Sequence, residues 1–232
     1  MRTNHFKKKL VIAMLKQLKS IDFRTSLLLG LFLASIIISS LLGGKISEIL
    51  LFGIPIVFSV GIVPFALTFA ITDIIAEVHG REKAQEIVWI GVSVLVFVLI
   101  MTVVSVALPY AARSWLTPEQ YEPVFSQSIR MILASIVAFF LGQMHDIFAF
   151  EFWKQKTKGK FLWLRNNLST IVSQLIDSTV FMFLAFYGVS PKYDVGFIIS
   201  LIIPYYILKV ALAFLDTPVV YAGVNWLRGS KA

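Results

Sequence analysis

The sequence predicts an all-α fold: a polytopic membrane helix bundle of about six transmembrane spans, both termini cytoplasmic. Three observations carry this reading. Of 232 residues, 58% are hydrophobic and only 15% charged, where soluble domains hold roughly 45–50% and 25%. The apolar residues gather into runs of the roughly 20 residues that a helix needs to cross about 30 Å of hydrocarbon. The lysines and arginines fall unevenly between the connections that join those runs.

Residues 1–24 read as a basic amphipathic cytoplasmic segment. Lys7, Lys8, Lys9, Lys16 and Lys19 accompany Val11, Met14, Leu15, Leu18 and Ile21 at helical spacing, a pattern suited to an anionic membrane surface. A cleavable signal peptide is not expected, because no small-residue cleavage site follows the first long span. Residues 25–218 form the transmembrane domain, and 219–232 a short cytoplasmic tail. The six spans fall near Thr25–Leu42, Pro55–Ile75, Ile87–Tyr110, Ser128–Phe150, Asn167–Tyr187 and Val195–Thr217. Gly43-Gly44 closes the first, and Pro118 and Pro123 mark the third connection as a turn-rich loop. Pro55, Pro64, Pro204 and Pro218 lie within or beside spans, where the carbonyls they free need a neighbour or a cavity.

With the N-terminus inside, sixteen cations fall on the inner side: seven from Arg2 to Arg24, then Arg81, Lys83, Lys154, Lys156, Lys158, Lys160, Arg165, Arg228 and Lys231. Only Lys45, Arg113, Arg130 and Lys192 fall outside, and Lys209 is left within a span. That asymmetry orients the bundle. The net charge of +8 therefore addresses the lipid bilayer rather than nucleic acid.

Ionisable groups inside spans cost about 2.5–3.5 kcal/mol each when they face lipid. Asp73, Asp146, Asp177, Lys209 and Asp216 must therefore face protein or water. On the fifth span Asn167, Thr170, Gln174, Asp177 and Phe181 share one helix face, and on the fourth Ser135, Ala138, Gly142, His145 and Ala149 share another. The small residues of the second set allow close helix approach. Gln143-x-x-Asp146-x-x-x-Phe150-x-Phe152 and Gln174-x-x-Asp177-x-x-x-Phe181-x-Phe183 also match, as an inverted repeat or a Phe-rich composition would produce. Lys209 needs a counter-ion, for which Asp177, Asp146 and Asp73 are the candidates. Gly80 suits a helix C-cap, and Glu77, four residues after Asp73, is either part of the polar path or an ion pair at the helix end.

The chemistry classes thin out quickly. The absence of cysteine excludes disulfides, thiolate metal sites and a cysteine nucleophile. The sequence has no H-E-x-x-H, P-loop or G-x-S-x-G element. Adjacent His145 and Asp146 diverge around a helix, a poor metal pair. No enzyme activity, catalytic residue, metal or cofactor is expected. A small-solute transporter is the favoured reading; for each polar residue the plain alternative is an interhelical hydrogen bond worth about 0.6–2 kcal/mol.

The stretch Pro64…Thr68-Phe69…Thr72-Asp73-Ile74-x-x-Glu77-x-x-Gly80, followed by Arg81…Ala84 and Val88-Trp89, resembles the signature of the queuosine precursor transporter family, the vitamin uptake transporter group. Gly142-Gln143…Asp146, Ser173-Gln174-Leu175-Ile176-Asp177-Ser178-x-x-Phe181 and Lys209…Thr217-Pro218 continue the resemblance in order, from about residue 55 to 221. His79 replaces the tyrosine common before that glycine. The resemblance implies a multi-pass inner-membrane importer of 7-cyano- or 7-aminomethyl-7-deazaguanine, alone or as a homodimer. Alternatives are the membrane subunit of an ATP-energised importer and a carrier for another nucleobase- or vitamin-like solute. A guanine-type edge presents N1–H and an amine to a carboxylate, while aromatic rings stack on its faces. Substrate contacts are accordingly expected from Asp177, Gln174, Asp146, Gln143, Asp73, Phe181 and Phe69, with Lys209 and Glu77 in ion-pair or coupling roles.

Overall fold

The computed structural model describes residues 23–43, 45–51, 54–189 and 191–229. The basic segment expected over residues 1–24 lies, apart from Phe23 and Arg24, outside them. Among the described residues six helices make up the bundle: α1 (Phe23–Leu42), α2 (Ile62–His79), α3 (Arg81–Ala107), α4 (Pro118–Lys156), α5 (Leu162–Phe186) and α6 (Val195–Arg228). All six are long and apolar enough to span a membrane.

Two boundaries differ from expectation. Residues expected to open the second span form instead an antiparallel hairpin, β1 (Ile46–Leu51) and β2 (Ile54–Ser59), with Leu50 opposite Pro55. An apolar run of six residues serves a strand as well as a helix, and only its neighbours decide. Here Gly61 decides: it stands so close to α1 that a Cβ would meet the Ser39 carbonyl oxygen at 2.5 Å, and α2 starts just beyond. The expected loop around Pro118 and Pro123 is also helical. Pro118 takes the first position of α4, where its missing N–H costs nothing, behind a Thr117/Gln120 capping box. Helix α6 likewise continues beyond Thr217, so the expected tail is helical through Arg228.

Helix α2 is the centre of the bundle. Every residue from Thr68 to Ala76 is buried, which leaves that stretch no lipid face. It packs against α1, α3, α4 and α6. Gly80, with φ of +89°, is the only residue between α2 and α3, a backbone conformation that glycine adopts without penalty. Helices α4 and α5 run side by side. At Gly142 a Cβ would stand 3.0 Å from the Asp177 Cβ and 3.4 Å from the Ser173 carbonyl oxygen, so the absent side chain sets their approach.

The two ends of the bundle differ. Thr25 bonds His79 at 3.1 Å, Arg24 donates to the Trp226 carbonyl, and Lys154, Arg165 and Arg228 meet Glu77. The start of α1 and the ends of α2, α4 and α6 thus gather with the starts of α3 and α5 at one basic end. The hairpin and the connections after α3 and α5 lie at the other.

Candidate functional site

Three polar layers cross the bundle, starting from the basic end. The first is centred on Glu77, whose side chain is 7% exposed although three cations reach it. Arg165 Nη1 lies 3.0 Å, Arg228 Nη2 2.6 Å and Lys154 Nζ 3.4 Å from its carboxylate. Arg165 is itself fully buried, its guanidinium 5.3 Å from the Phe150 ring. Such a cluster closes that end of the bundle with desolvated charge.

The second layer joins α2, α4 and α5. The Thr72 hydroxyl lies 2.9 Å from Gln143 Oε1, while Gln143 Nε2 donates to Thr68 Oγ1 at 3.1 Å. The Gln143 amide nitrogen is therefore committed to α2, and its oxygen shares the Thr72 hydroxyl with the Thr68 and Phe69 carbonyls. Beside them Asp73 and Asp146 face each other, with Asp216 and Arg165 nearby. The hydroxyls of Ser169, Thr170 and Ser173 surround Asp146. Ser169 donates instead to the Asn166 carbonyl, and Ser173 to the Ser169 carbonyl. With that proton committed, His145 is the donor, through Nδ1, in its 2.9 Å contact with Ser173 Oγ. Neither carboxylate oxygen of Asp146 receives a hydrogen bond among the described residues.

The third layer is the ion pair between Lys209 of α6 and Asp177 of α5, both about 4% exposed. The Lys209 ammonium also lies 4.5 Å from the Phe65 ring centre and 4.8 Å from that of Tyr205, inside cation–π range. This layer is the floor of a cavity of about 1090 Å³. Phe65, Phe139, Phe181, Phe186, Tyr205 and Pro204 line its walls, and Val124, Tyr193 and Phe197 lie toward the hairpin end. An apolar, aromatic chamber with a few convergent polar groups is the usual form of a small-molecule site.

The residues expected from sequence are distributed over these layers. Asp177, Lys209 and Phe181 line the cavity. Gln174 is buried one turn along α5 from Asp177, and its Oε1 has no hydrogen-bond partner among the described residues. Asp73, Asp146 and Gln143 lie in the middle layer, and Glu77 in the basic one. Phe69 is fully buried behind Phe65, ring centres 5.7 Å apart. Phe65 and Tyr205 were not foreseen, since nothing in sequence separates a cavity phenylalanine from a packing one. Arg165, counted among the loop cations, is buried. Its signal was present: Arg165, Ser169, Ser173 and Asp177 recur every four residues along α5.

Comparison with known proteins places the chain in a transporter family. Residues 59–223 match the family model described as "Putative vitamin uptake transporter". The chain is 32% identical over 174 residues to a protein of Bacillus subtilis (strain 168) named "Probable queuosine precursor transporter", covering 75% of this chain and 74% of that one. No solved structure matches. The family match takes in the polar layers except Arg228, with most of the cavity wall, and on that extent the chain belongs to the vitamin uptake transporter family.

Proposed function

We propose that this chain imports 7-deazaguanine precursors of queuosine across the cytoplasmic membrane, with the basic end inside and the cavity facing outward. The observation that carries the proposal is the pairing of Asp177 with Lys209 on the floor of an aromatic cavity. A guanine-type edge sets two donors, N1–H and the 2-amino group, beside one acceptor, O6. A carboxylate next to an ammonium is the matching set: Asp177 accepts twice and Lys209 donates to O6. The ring edge is neutral, so it enters between the two charges without adding one there. Phe65, Tyr205 and Phe181 offer ring faces for stacking, and Gln174 a spare amide oxygen one turn below. The name of the Bacillus relative supports the same substrate class.

The test is uptake of 7-cyano- and 7-aminomethyl-7-deazaguanine by cells unable to synthesise them, with and without this chain. Cells lacking any companion ATPase should accumulate the base only when the chain is present. Asp177→Asn keeps the shape but loses one acceptor charge and strands Lys209; uptake should fall at least tenfold with protein still in the membrane. Uptake unchanged by Asp177→Asn would remove Asp177 from the site. Wild-type chain that moves neither base would remove the substrate assignment.

A further inference from the structure

The middle layer does not line the cavity, and its hydrogen bonding is lopsided. Asp73 is 1% and Asp146 0% exposed, and their carboxyl groups lie close enough to share one hydrogen bond. Asp73 Oδ1 and both oxygens of Asp146 receive no donor from the described residues. Of the hydroxyls around Asp146, those of Ser169 and Ser173 give their protons to backbone carbonyls, and Thr170 adds a third. Asn166, also 1% exposed, adds a further Oδ1 with no donor, beside Asp216. Lone pairs thus converge on a dry spot from α2, α4 and α5, and what such a spot binds is a cation.

Most of the charged and titratable groups around the pair have partners of their own. Arg165 of α5 lies 3.0 Å from Glu77, which also takes Lys154 of α4 and Arg228 of α6; the Arg165 Nε and Nη1 have no hydrogen-bond acceptor among the described residues, and its charge also acts on Asp73. His145 of α4 is turned to Ser173. Asp216 of α6 adds a carboxylate, not a cation. Lys209 is paired with Asp177. On α3, Lys83 and Glu86 pair with each other at the exposed end, and on α1, Arg24 bonds the Trp226 carbonyl. Two carboxyl groups in contact away from water are not both ionised; they hold one proton between them.

We propose that Asp73 and Asp146 form a proton-binding site that couples solute import to inward proton movement, one proton per solute. The proton arrives from the cavity side, sits between the two carboxyl groups, and leaves toward the basic end when the Glu77 cluster opens. Intramembrane carboxylates facing the bundle interior are the usual material of proton relays. This inference rests on the import reading above, and its test keeps the two apart.

The full-length chain is reconstituted into vesicles containing a trapped pH-sensitive dye, and 7-cyano-7-deazaguanine is added outside. That base is uncharged, so any proton moved belongs to the coupling site. An outside-acid gradient of one pH unit should drive about tenfold accumulation, since one pH unit is tenfold in proton activity. The lumen should acidify in proportion to uptake. A sodium gradient of the same size should drive none. In Asp146→Asn and in Asp73→Asn, whatever uptake remains should proceed without lumenal acidification. Uptake that ignores the proton gradient overturns the coupling proposal while leaving import standing, and uptake driven by sodium overturns it in favour of another ion. No uptake under any gradient overturns both readings.

Discussion

Lys209 and Asp177 show what a membrane core demands of single residues. Each alone would leave an unpaired charge in a medium that repels it, and together they are nearly neutral to stability. Lys209→Met should therefore cost about 3–5 kcal/mol by stranding Asp177, read as a lowered midpoint of thermal unfolding in detergent. The double replacement Lys209→Met with Asp177→Leu should restore most of that midpoint yet leave uptake absent. Recovery of uptake in the double variant would show the pair to be structural only. The existence of this pair was legible in the sequence, because an intramembrane lysine has to find an anion. Its identity was not, because Asp73, Asp146 and Asp177 all lie at membrane depth and only the packing of α5 on α6 selects one. The same limit explains Phe65 and Phe69. They stand one turn apart on α2, and the one nearer the hairpin end meets the cavity.

At the scale of elements, the α4–α5 seam is the piece whose geometry matters most to the site. Gly142 lets α4 approach within van der Waals contact of Asp177 and Ser173; next to it Gln143 ties α4 to α2, and His145 ties α4 to α5. A side chain at position 142 has to push α5 away, and Asp177 with it. Gly142→Leu should thus cost about 1–3 kcal/mol by overpacking and reduce solute uptake more than its loss of stability explains. Comparing uptake per folded molecule with the unfolding midpoint separates the two effects. Small residues on one face of α4 and polar ones on one face of α5 announced this seam, since their spacing follows the helical period. The hairpin was announced less clearly. Ile54 to Phe58 is apolar throughout, so its period cannot tell strand from helix, and the backbone pairing that settles it is made with residues 46–51. The helical start of α4 was obscured differently: prolines that break a helix interior are well tolerated in its opening turns.

The whole molecule is polarised. Buried acid and basic clamps close one end, an aromatic cavity occupies the other, and two polar layers separate them. Composition and charge spacing conveyed the six spans and the segregation of cations, because both are imposed by lipid on every residue. The cavity and the closed end are products of tertiary packing and were not written in any local pattern. The polarity gives the direction of transport a physical test. The chain contains no cysteine, so single cysteines report their own location without background. Arg113 and Lys158 are both exposed, at opposite ends of the bundle. With the basic end in the cytoplasm, a membrane-impermeant maleimide should label Arg113→Cys in intact cells and Lys158→Cys only after lysis. The reverse pattern would turn the cavity toward the cytoplasm, and the closed Glu77 cluster would then bar the outer side. A solute held between Asp177 and Lys209 would in that case be loaded from within, and the molecule would have to be read as captured part-way through release rather than awaiting substrate.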